Sequence, residues 1–250
     1  MAGHSKWANT KHRKARVDAQ KGKIFTKLAR EIISAAREGG GDLDANFSLR
    51  LAVQKAKDSN MPGDNINRAI LKGTGEQDGL PLEHFNYEGY GPGGVAVLLE
   101  IMTDNRNRTA AEIRSLFTRR GGNMGDLGCV AWMFKRMGYI TIDKQDNTLS
   151  EDELMLLVLE SGAEDFKDEE SSFVILTAPE DFEQVKEKLS QQNIPIAVAE
   201  VTMVPESTVP VNDPEEAKKL LDLLDALEDQ DDVQNVYANY DIPDEIISSL

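Results

Sequence analysis

Apolar residues first recur at helical spacing after position 23 of the chain. The residues placed to share one helix face are Ile24, Phe25, Leu28 and Ile32. Basic residues lie between them, and the run ends at three consecutive glycines, residues 39–41, which break helices. The pattern predicts a first helix that begins near Ile24 and ends at these glycines.

Two further short helices are predicted before residue 75. Asp44 is placed to cap the first of them, which extends to residue 58. Its predicted apolar stripe is Phe47, Leu51, Val53 and Ala56. A turn at residues 61–64 leads into the other helix, which Gly73 and Gly75 close. Three helices of this size can share one small core.

The pattern changes to mixed strand and helix after residue 79. Residues 95–101 are apolar and rich in β-branched side chains, as expected of a buried strand. Thr109 and Glu112 have the spacing of a capping box and predict the start of a helix. Residues 129–134 predict a further strand.

Residues 138–204 predict a unit of their own. Strands are expected at residues 139–142, 162–167, 173–177 and 197–203. Ser150 and Glu153 form a capping box that opens a helix after the first strand, and Pro179 is placed in the first turn of a second helix. The resulting order, strand-helix-strand-strand-helix-strand, is the split βαβ or ferredoxin-like pattern.

The C-terminal segment supplies elements that residues 79–137 lack. After a linker with several prolines it predicts an amphipathic helix at residues 215–228 and a strand at 233–240. The predicted fold class is therefore α+β with three domains. The domains are an N-terminal three-helix domain with a basic arm (residues 1–78), a discontinuous α/β domain (79–137 and 205–250) and an inserted ferredoxin-like βαββαβ domain (138–204).

Charge divides the chain into two unequal parts. The whole chain carries a net charge of −16 and has a sequence pI near 4.6. The first thirty residues, in contrast, hold nine Lys or Arg against the single acid Asp18. A compact basic segment on an acidic protein predicts an anionic partner for one end only, such as nucleic acid. The acidic remainder excludes a protein that coats nucleic acid with its whole surface.

The basic segment supplies most of the candidate nucleic-acid contacts. Its cations are expected to neutralise phosphates, and Trp7 and His12 are expected to stack on exposed bases. A second basic group flanks the helix predicted near Thr109. The candidates are Lys6, Trp7, Lys11, His12, Arg13, Lys14, Arg16, Lys21, Lys23, Lys27, Arg30, Arg106, Arg108, Arg119 and Arg120. A solvated basic tail and ordinary loop or helix-end roles are the alternative interpretations of these two groups.

The sequence contains no motif for catalysis, metal binding or membrane insertion. The single cysteine, Cys129, excludes an internal disulfide and favours a reducing cytoplasm, and no apolar run reaches the ~18–20 residues of a membrane span. Zinc-ligand spacings and nucleophile elbows are lacking, so no metal, cofactor, small-molecule substrate or catalytic residue is predicted. The glycine-rich residues 89–94 precede a strand, which argues against a phosphate loop. Acidic runs such as 228–232 are expected to be solvated loops, and a mitochondrial transit peptide is the alternative interpretation of the basic start.

Several blocks of the sequence resemble the YebC/PmpR family. The blocks are residues 1–9 (MAGHSKWAN), 11–14 (KHRK), 22–27 (GKIFTK), 87–94 (YEGYGPGG), 104–109 (DNRNRT), 121–123 (GGN) and 162–165 (GAED). Because they occur in all three predicted domains, the resemblance covers essentially the whole chain. Thr10 departs from the Ile that many members carry at this position.

The resemblance implies a three-domain, cytoplasmic and non-enzymatic regulator. Members are described as probable transcriptional regulators that bind DNA. Relatives, including mitochondrial ones, are described as translation factors that associate with the ribosome and help synthesis through proline runs. The residues themselves indicate an anionic polymer as partner and do not choose between DNA and ribosomal RNA. An enzyme acting in a cleft between domains, or a protein-interaction adaptor that uses the acidic ferredoxin-like domain, is the alternative of a different class.

Overall fold

The computed structural model describes residues 21–75, 82–169 and 171–247. Within these residues the chain forms eight α-helices and ten β-strands. The strands lie in two four-stranded antiparallel sheets and one two-stranded pair. The predicted α+β class is therefore confirmed.

Three helices form the N-terminal unit. They are α1 (Lys21–Gly39), α2 (Phe47–Asp58) and α3 (Gly63–Thr74). Their shared core contains Leu28, Ile32, Leu49, Val53 and Ile66. Gly73 lets α3 approach α1 closely, because a Cβ at this position would lie 2.6 Å from the carbonyl oxygen of Ile33.

Asn46, rather than Asp44, caps α2. Its side-chain oxygen accepts a hydrogen bond from the backbone N–H of Leu49 at 3.0 Å, while its amide nitrogen donates to the carbonyl oxygens of Ala35 and Gly40 at 2.8 Å each. The prediction for Asp44 is wrong because the site needs a group that accepts from α2 and donates to α1. An amide does both, whereas a carboxylate only accepts.

The apolar stripe predicted for α2 is wrong in two of its four positions. Val53 and Ala56 are buried, but Phe47 and Leu51 are 63% and 53% exposed. The buried stripe of α2 is Leu49, Ala52, Val53 and Ala56. Phe47 and Leu51 are four residues apart and form a second apolar stripe on the outer side of the helix.

The second unit is built on a sheet that we call the middle sheet. Its strands, in the order β3-β1-β2-β9, are β1 (Glu83–Tyr90), β2 (Ala96–Thr103), β3 (Asn123–Met124) and β9 (Val233–Ala238). Helices α4 (Arg106–Arg119) and α7 (Pro214–Glu228) cover one face, where Leu99 and Phe117 belong to one buried cluster. The hydrophobic pattern does not predict β1, because only Phe85 and Tyr87 show the alternation of a strand.

Two sequence predictions around α4 are wrong. Asn105 caps the helix, since its side-chain oxygen accepts from the N–H of Arg108 at 3.0 Å, and Thr109 is buried within the first turns of the helix. The strand predicted at residues 129–134 is instead a short 3₁₀ turn at Ala131–Met133, and the next strand begins only at Phe134.

The buried carboxylate of Glu88 explains the second of these differences. Its Oε1 accepts from the N–H of Gly128 at 2.7 Å, and its Oε2 accepts from Val130 at 2.6 Å and Ala131 at 2.8 Å. Burial acts to raise the pKa of Glu88, but these three backbone donors outweigh it and hold the pKa below its ordinary value. The amides that a neighbouring strand would bind are therefore bound by one side chain.

The third unit has the ferredoxin-like arrangement. Its elements are β4 (Phe134–Asp143), α5 (Glu151–Glu160), β5 (Ala163–Asp168), β6 (Ser172–Thr177), α6 (Phe182–Gln191) and β7 (Val198–Pro205). The strand order β5-β6-β4-β7 places an antiparallel strand between the two strands of the first βαβ unit, as the split βαβ pattern requires. The capping box of Ser150 and Glu153 is confirmed. Pro179 lies before α6 rather than in its first turn, because the helix begins after Asp181.

The chain returns to the middle sheet after the ferredoxin-like unit. β9 pairs with β2, with Val236 opposite Leu99. The remaining elements are the parallel pair β8 (Val209–Pro210) and β10 (Tyr240–Asp241) and the short helix α8 (Asp244–Ile247). The domain boundaries at residues 78, 137 and 204 stay predictions. Across the described ranges, no helix combines the length and the apolar character needed to cross a membrane.

Candidate nucleic-acid interface

Most of the predicted nucleic-acid contacts lie outside the described residues. They are Lys6, Trp7, Lys11, His12, Arg13, Lys14 and Arg16, together with the side chains of Lys21 and Lys23. The backbone of the last two belongs to α1. The candidates with described side chains are two cations of α1 and four arginines near the ends of α4.

One face of α1 packs against the middle-sheet unit. Lys27, Arg30 and Ser34 are spaced three and four residues apart, which places them on a single helix face. Nζ of Lys27 donates to the carbonyl oxygen of Glu228 at 2.7 Å, and Oγ of Ser34 lies 2.8 Å from Nε2 of His84. The predicted phosphate-binding cations of this face thus have partners within the protein.

Asp232 is the centre of this contact. Its Oδ1 accepts from Nη1 of Arg30 at 3.0 Å. Its Oδ2 accepts from Nη2 of Arg108 at 2.9 Å and from the hydroxyl of Thr109 at 2.8 Å. We call these four residues the Asp232 node. The node joins α1, α4 and the loop that follows α7.

The carboxylate of the Asp232 node is held in its ionised form. Burial acts to raise the pKa of Asp232. This effect is outweighed by hydrogen bonds from Arg108 and Thr109, by the positive charge of Arg108 and by the side-chain hydroxyl of Thr103. The pKa therefore lies below its ordinary value. In return, the carboxylate raises the pKa of the Arg108 guanidinium. The ion pair therefore persists throughout the neutral range.

Arg106 forms a basic and aromatic surface at the start of α4. Its guanidinium carbon lies 4.2 Å from the centroid of the Phe85 ring, and its Nη1 lies 3.5 Å from the carboxylate of Glu83. The Phe85 ring meets Tyr87 edge-on, with centroids 5.0 Å apart. The Arg106 side chain is 56% exposed, so this surface faces solvent.

Arg119 and Arg120 lie at the opposite end of α4. The fourteen residues of the helix span about 21 Å at ~1.5 Å per residue. Both arginines line a cleft of about 980 Å³ between α4 and α7, with Asp222 and Asp229 on the other wall. The structure therefore does not bring the two pairs of arginines together.

The sequence pattern does not predict that Asp232 is buried. The acidic run at residues 228–232 is predicted to be solvated, which is wrong for Asp232, because this residue is 3% exposed. Its side-chain partners lie between 123 and 202 residues away in the chain, so no local spacing signals the contact. Among the described residues, no group of three or more His, Cys, Asp or Glu is placed to hold a metal ion.

Two family profiles match most of the chain. The profile described as the TACO1/YebC protein N-terminal domain matches residues 5–76. The profile described as the TACO1/YebC second and third domain matches residues 82–240. The second match alone covers more than half of the chain.

Individual relatives match over the whole length. A probable transcriptional regulatory protein of Natranaerobius thermophilus is 61% identical over 100% of both chains. One of Halothermothrix orenii is 58% identical over 100% of this chain and 99% of its own. The crystal structure of a conserved hypothetical protein of Aquifex aeolicus is 51% identical, with a TM-score of 0.77 over 93% of this chain and 95% of that one. On these matches, the chain belongs to the TACO1/YebC family.

Proposed function

We propose that this chain regulates gene expression by binding nucleic acid through its basic N-terminal segment. The name of the relatives, probable transcriptional regulatory protein, supports the regulatory class. The observation that carries the proposal is the confinement of positive charge. Residues 31–75 hold six basic and six acidic residues, so the whole positive excess of the N-terminal domain lies in residues 1–30.

The contacts of α1 with the rest of the protein reduce the number of cations that are available to nucleic acid. Lys27 and Arg30 hold α1 against the rest of the protein, which leaves the cations of residues 6–23 to neutralise phosphates. Arg106, exposed and stacked on Phe85, extends the surface on the body of the protein. The acidic remainder repels phosphates and so favours one orientation on the polymer.

Charge reversal in the arm tests the proposal. The variant is Lys11→Glu, Arg13→Glu, Lys14→Glu in the full chain, measured by fluorescence anisotropy with a labelled DNA duplex and with a ribosomal RNA fragment. Affinity should fall at least tenfold. The slope of log K against log salt should also flatten by about 2.7, because each lost phosphate contact removes about 0.9 on duplex DNA.

A matched control separates the arm from net charge. Lys188→Glu, Lys218→Glu, Lys219→Glu makes the same change in charge at exposed positions of α6 and α7. This control should bind within twofold of the wild type. Binding of DNA and of RNA that survives the arm variant would show the proposal to be wrong.

A ribosome-associated translation factor that binds ribosomal RNA and relieves stalling at proline runs is the second candidate. It is favoured by the way arginines are held at the starts of α3 and α4. Nη2 of Arg68 donates to the side-chain oxygen of Asn65 at 3.1 Å, Arg106 stacks on Phe85, and Arg108 binds Asp232. The hydrogen bonds hold the guanidinium groups of Arg68 and Arg108 to Asn65 and Asp232, so these two are less available to base edges in a major groove, and Arg106 is left as the exposed cation of the set.

Partner preference decides between the two candidates. A promoter-binding regulator should prefer its target over random DNA by at least ~10³. A translation factor should instead co-sediment with ribosomes, and a deletion strain should stall at proline runs without a change in transcript levels.

A further inference from the structure

A wide cleft separates the N-terminal helices from the ferredoxin-like unit. Its volume is about 1130 Å³. One wall is formed by α1 and α2, the other by α6 and β7, and Asn235 and Tyr237 of β9 contribute to the lining between them. Among the predicted nucleic-acid contacts whose side chains the structure describes, none lines this cleft.

The α2 wall presents apolar side chains that the helical core does not use. Phe47 and Leu51, four residues apart on α2, line the cleft and are 63% and 53% exposed. Val201 of β7, 36% exposed, lines the opposite side. Exposed aromatic and aliphatic residues gathered at one cleft are typical of a surface that binds a partner.

The charge of the cleft decides which partner fits it. Within the described ranges, its lining includes six carboxylates and three Lys or Arg. Two of the cations are already paired, Lys55 with Glu31 at 3.2 Å and Lys186 with Glu183 at 3.6 Å. Of the cations that the structure describes at the cleft, only Arg136 then opposes the four other carboxylates, which are Glu38, Asp58, Glu180 and Glu200. A negatively charged cleft repels phosphates and attracts cations.

We propose that this cleft binds a basic, amphipathic polypeptide segment of a partner protein. Apolar side chains of the segment would cover Phe47 and Leu51, and its Lys or Arg side chains would meet Glu180 and the other carboxylates of the rim. A helix with a diameter of about 10–12 Å is a suitable occupant for a cleft of this kind.

The inference goes beyond the binding of nucleic acid and gives the acidic body a role. Proteins that themselves bind nucleic acid are rich in Lys and Arg. The arm would hold the polymer while the cleft holds a basic protein bound to the same polymer. Two linked contacts of this kind raise the overall affinity without any new surface.

Peptide binding to the full chain tests the inference. The probe is a fluorescein-labelled amphipathic Lys/Leu peptide, compared with a Lys/Ser peptide of the same charge. The variant Phe47→Ser, Leu51→Ser should bind the Lys/Leu peptide at least tenfold more weakly than the wild type. Leu71→Ser is the matched control, because Leu71 on α3 is 69% exposed and does not line the cleft, and it should bind within twofold.

Three results of these binding measurements would overturn the inference. One is equal binding of the Lys/Leu peptide by the wild type and the double variant, and another is equal affinity of the wild type for the Lys/Ser peptide, since both would indicate attraction by charge alone. The third is a tenfold loss of DNA or RNA affinity in the double variant, which would make the cleft a nucleic-acid groove. Nucleic-acid affinity within twofold of wild type is expected, because the arm that binds the polymer is intact.

The remaining alternative is that the cleft closes in solution and its two walls contact each other. Small-angle scattering tests this alternative. If Phe47 and Leu51 closed onto β7 in solution, the double variant without peptide would have a larger radius of gyration than the wild type, and the inference would fail. Equal radii are expected. Equal thermal unfolding curves are expected too, because both side chains are exposed.

Discussion

Two buried carboxylates, Glu88 and Asp232, organise different parts of this molecule by different means. Glu88 is bound by three backbone N–H groups of one loop, at residues 128–131. Asp232 is bound by side chains from α1 and α4, two of them positively charged. The first therefore shapes a loop locally, whereas the second fixes one structural unit against another.

The difference lies in what remains when each carboxylate is removed. Without Glu88, the amides of Gly128, Val130 and Ala131 lose their acceptor, and buried orphan donors are expensive. Without Asp232, Arg30 and Arg108 lose a partner but are 27% and 45% exposed and can be solvated. A local shape is thus less tolerant of the loss than a contact between units.

Glu88→Ala should cause the largest loss of stability, about 4 kcal/mol, because hydrogen bonds to a charged acceptor contribute roughly 1.5–3 kcal/mol each. Hydrogen exchange should accelerate at the amides of Gly128, Val130 and Ala131, and urea unfolding should shift to lower denaturant. Glu164→Ala, which removes an exposed ion pair with Lys135, is the control and should change stability by less than about 1 kcal/mol. Unchanged exchange in the loop would contradict the role given to Glu88.

Asp232→Ala should cost about 2 kcal/mol, because hydrogen bonds with charged groups contribute roughly 1.5–3 kcal/mol each and the two arginines left behind can be solvated. The variant should change the position of α1 and leave the loop at residues 128–131 ordered. The radius of gyration should rise and the amides of α1 should exchange faster, while those of residues 128–131 keep their protection. Faster exchange in both regions would show that the two carboxylates do not act independently.

Low pH should reduce the contributions of Glu88 and Asp232 to the free energy of unfolding. Each folded-state pKa lies below its ordinary value, 4.5 for Glu88 and 3.8 for Asp232. A depressed pKa stabilises the fold above the unfolded-state value, and this stabilisation is lost as the pH falls through the folded-state pKa. The gap in unfolding free energy between the wild type and each alanine variant should therefore shrink below these values. A gap that stayed constant from neutral pH to pH 3 would contradict the pKa directions.

Arg30→Ala should have the smallest effect, about 1 kcal/mol or less, because the guanidinium is partly exposed and Arg108 still neutralises Asp232. The contribution of Arg30 should also weaken with added salt, unlike that of Glu88. Urea unfolding of the wild type and the variant at low and high salt measures this. A difference that grew with salt would sink the explanation.

Much of the fold follows from local patterns, and the two carboxylates show where such patterns stop. The capping box of Ser150 and Glu153 and the order of the ferredoxin-like elements are local features, and both are confirmed. The burial of Asp232 depends on Arg30 and Arg108, which lie 202 and 124 residues away. Glu88 similarly binds amides 40 to 43 residues further along the chain.

The candidate site divides in the same way. Charge counting alone predicts a basic N-terminal segment, and that prediction depends on no tertiary contact. The use of Lys27 and Arg30 as partners of Glu228 and Asp232 requires the packed structure. Equally, helical spacing does not distinguish the buried Val53 from the exposed Leu51, because both are apolar and only the tertiary arrangement selects one face.

The pairing of β9 with β2 determines when the middle sheet can be completed during synthesis of the chain. The ferredoxin-like unit and the three N-terminal helices consist of neighbouring segments and can form as the chain emerges. The middle sheet cannot be completed until residues 233–238 have been made, since Asn235 reaches back 135 residues to bond Glu100 at 2.6 Å. Asp232 arrives at the same moment. The docking of α1 is therefore one of the last steps in the assembly of the newly made protein.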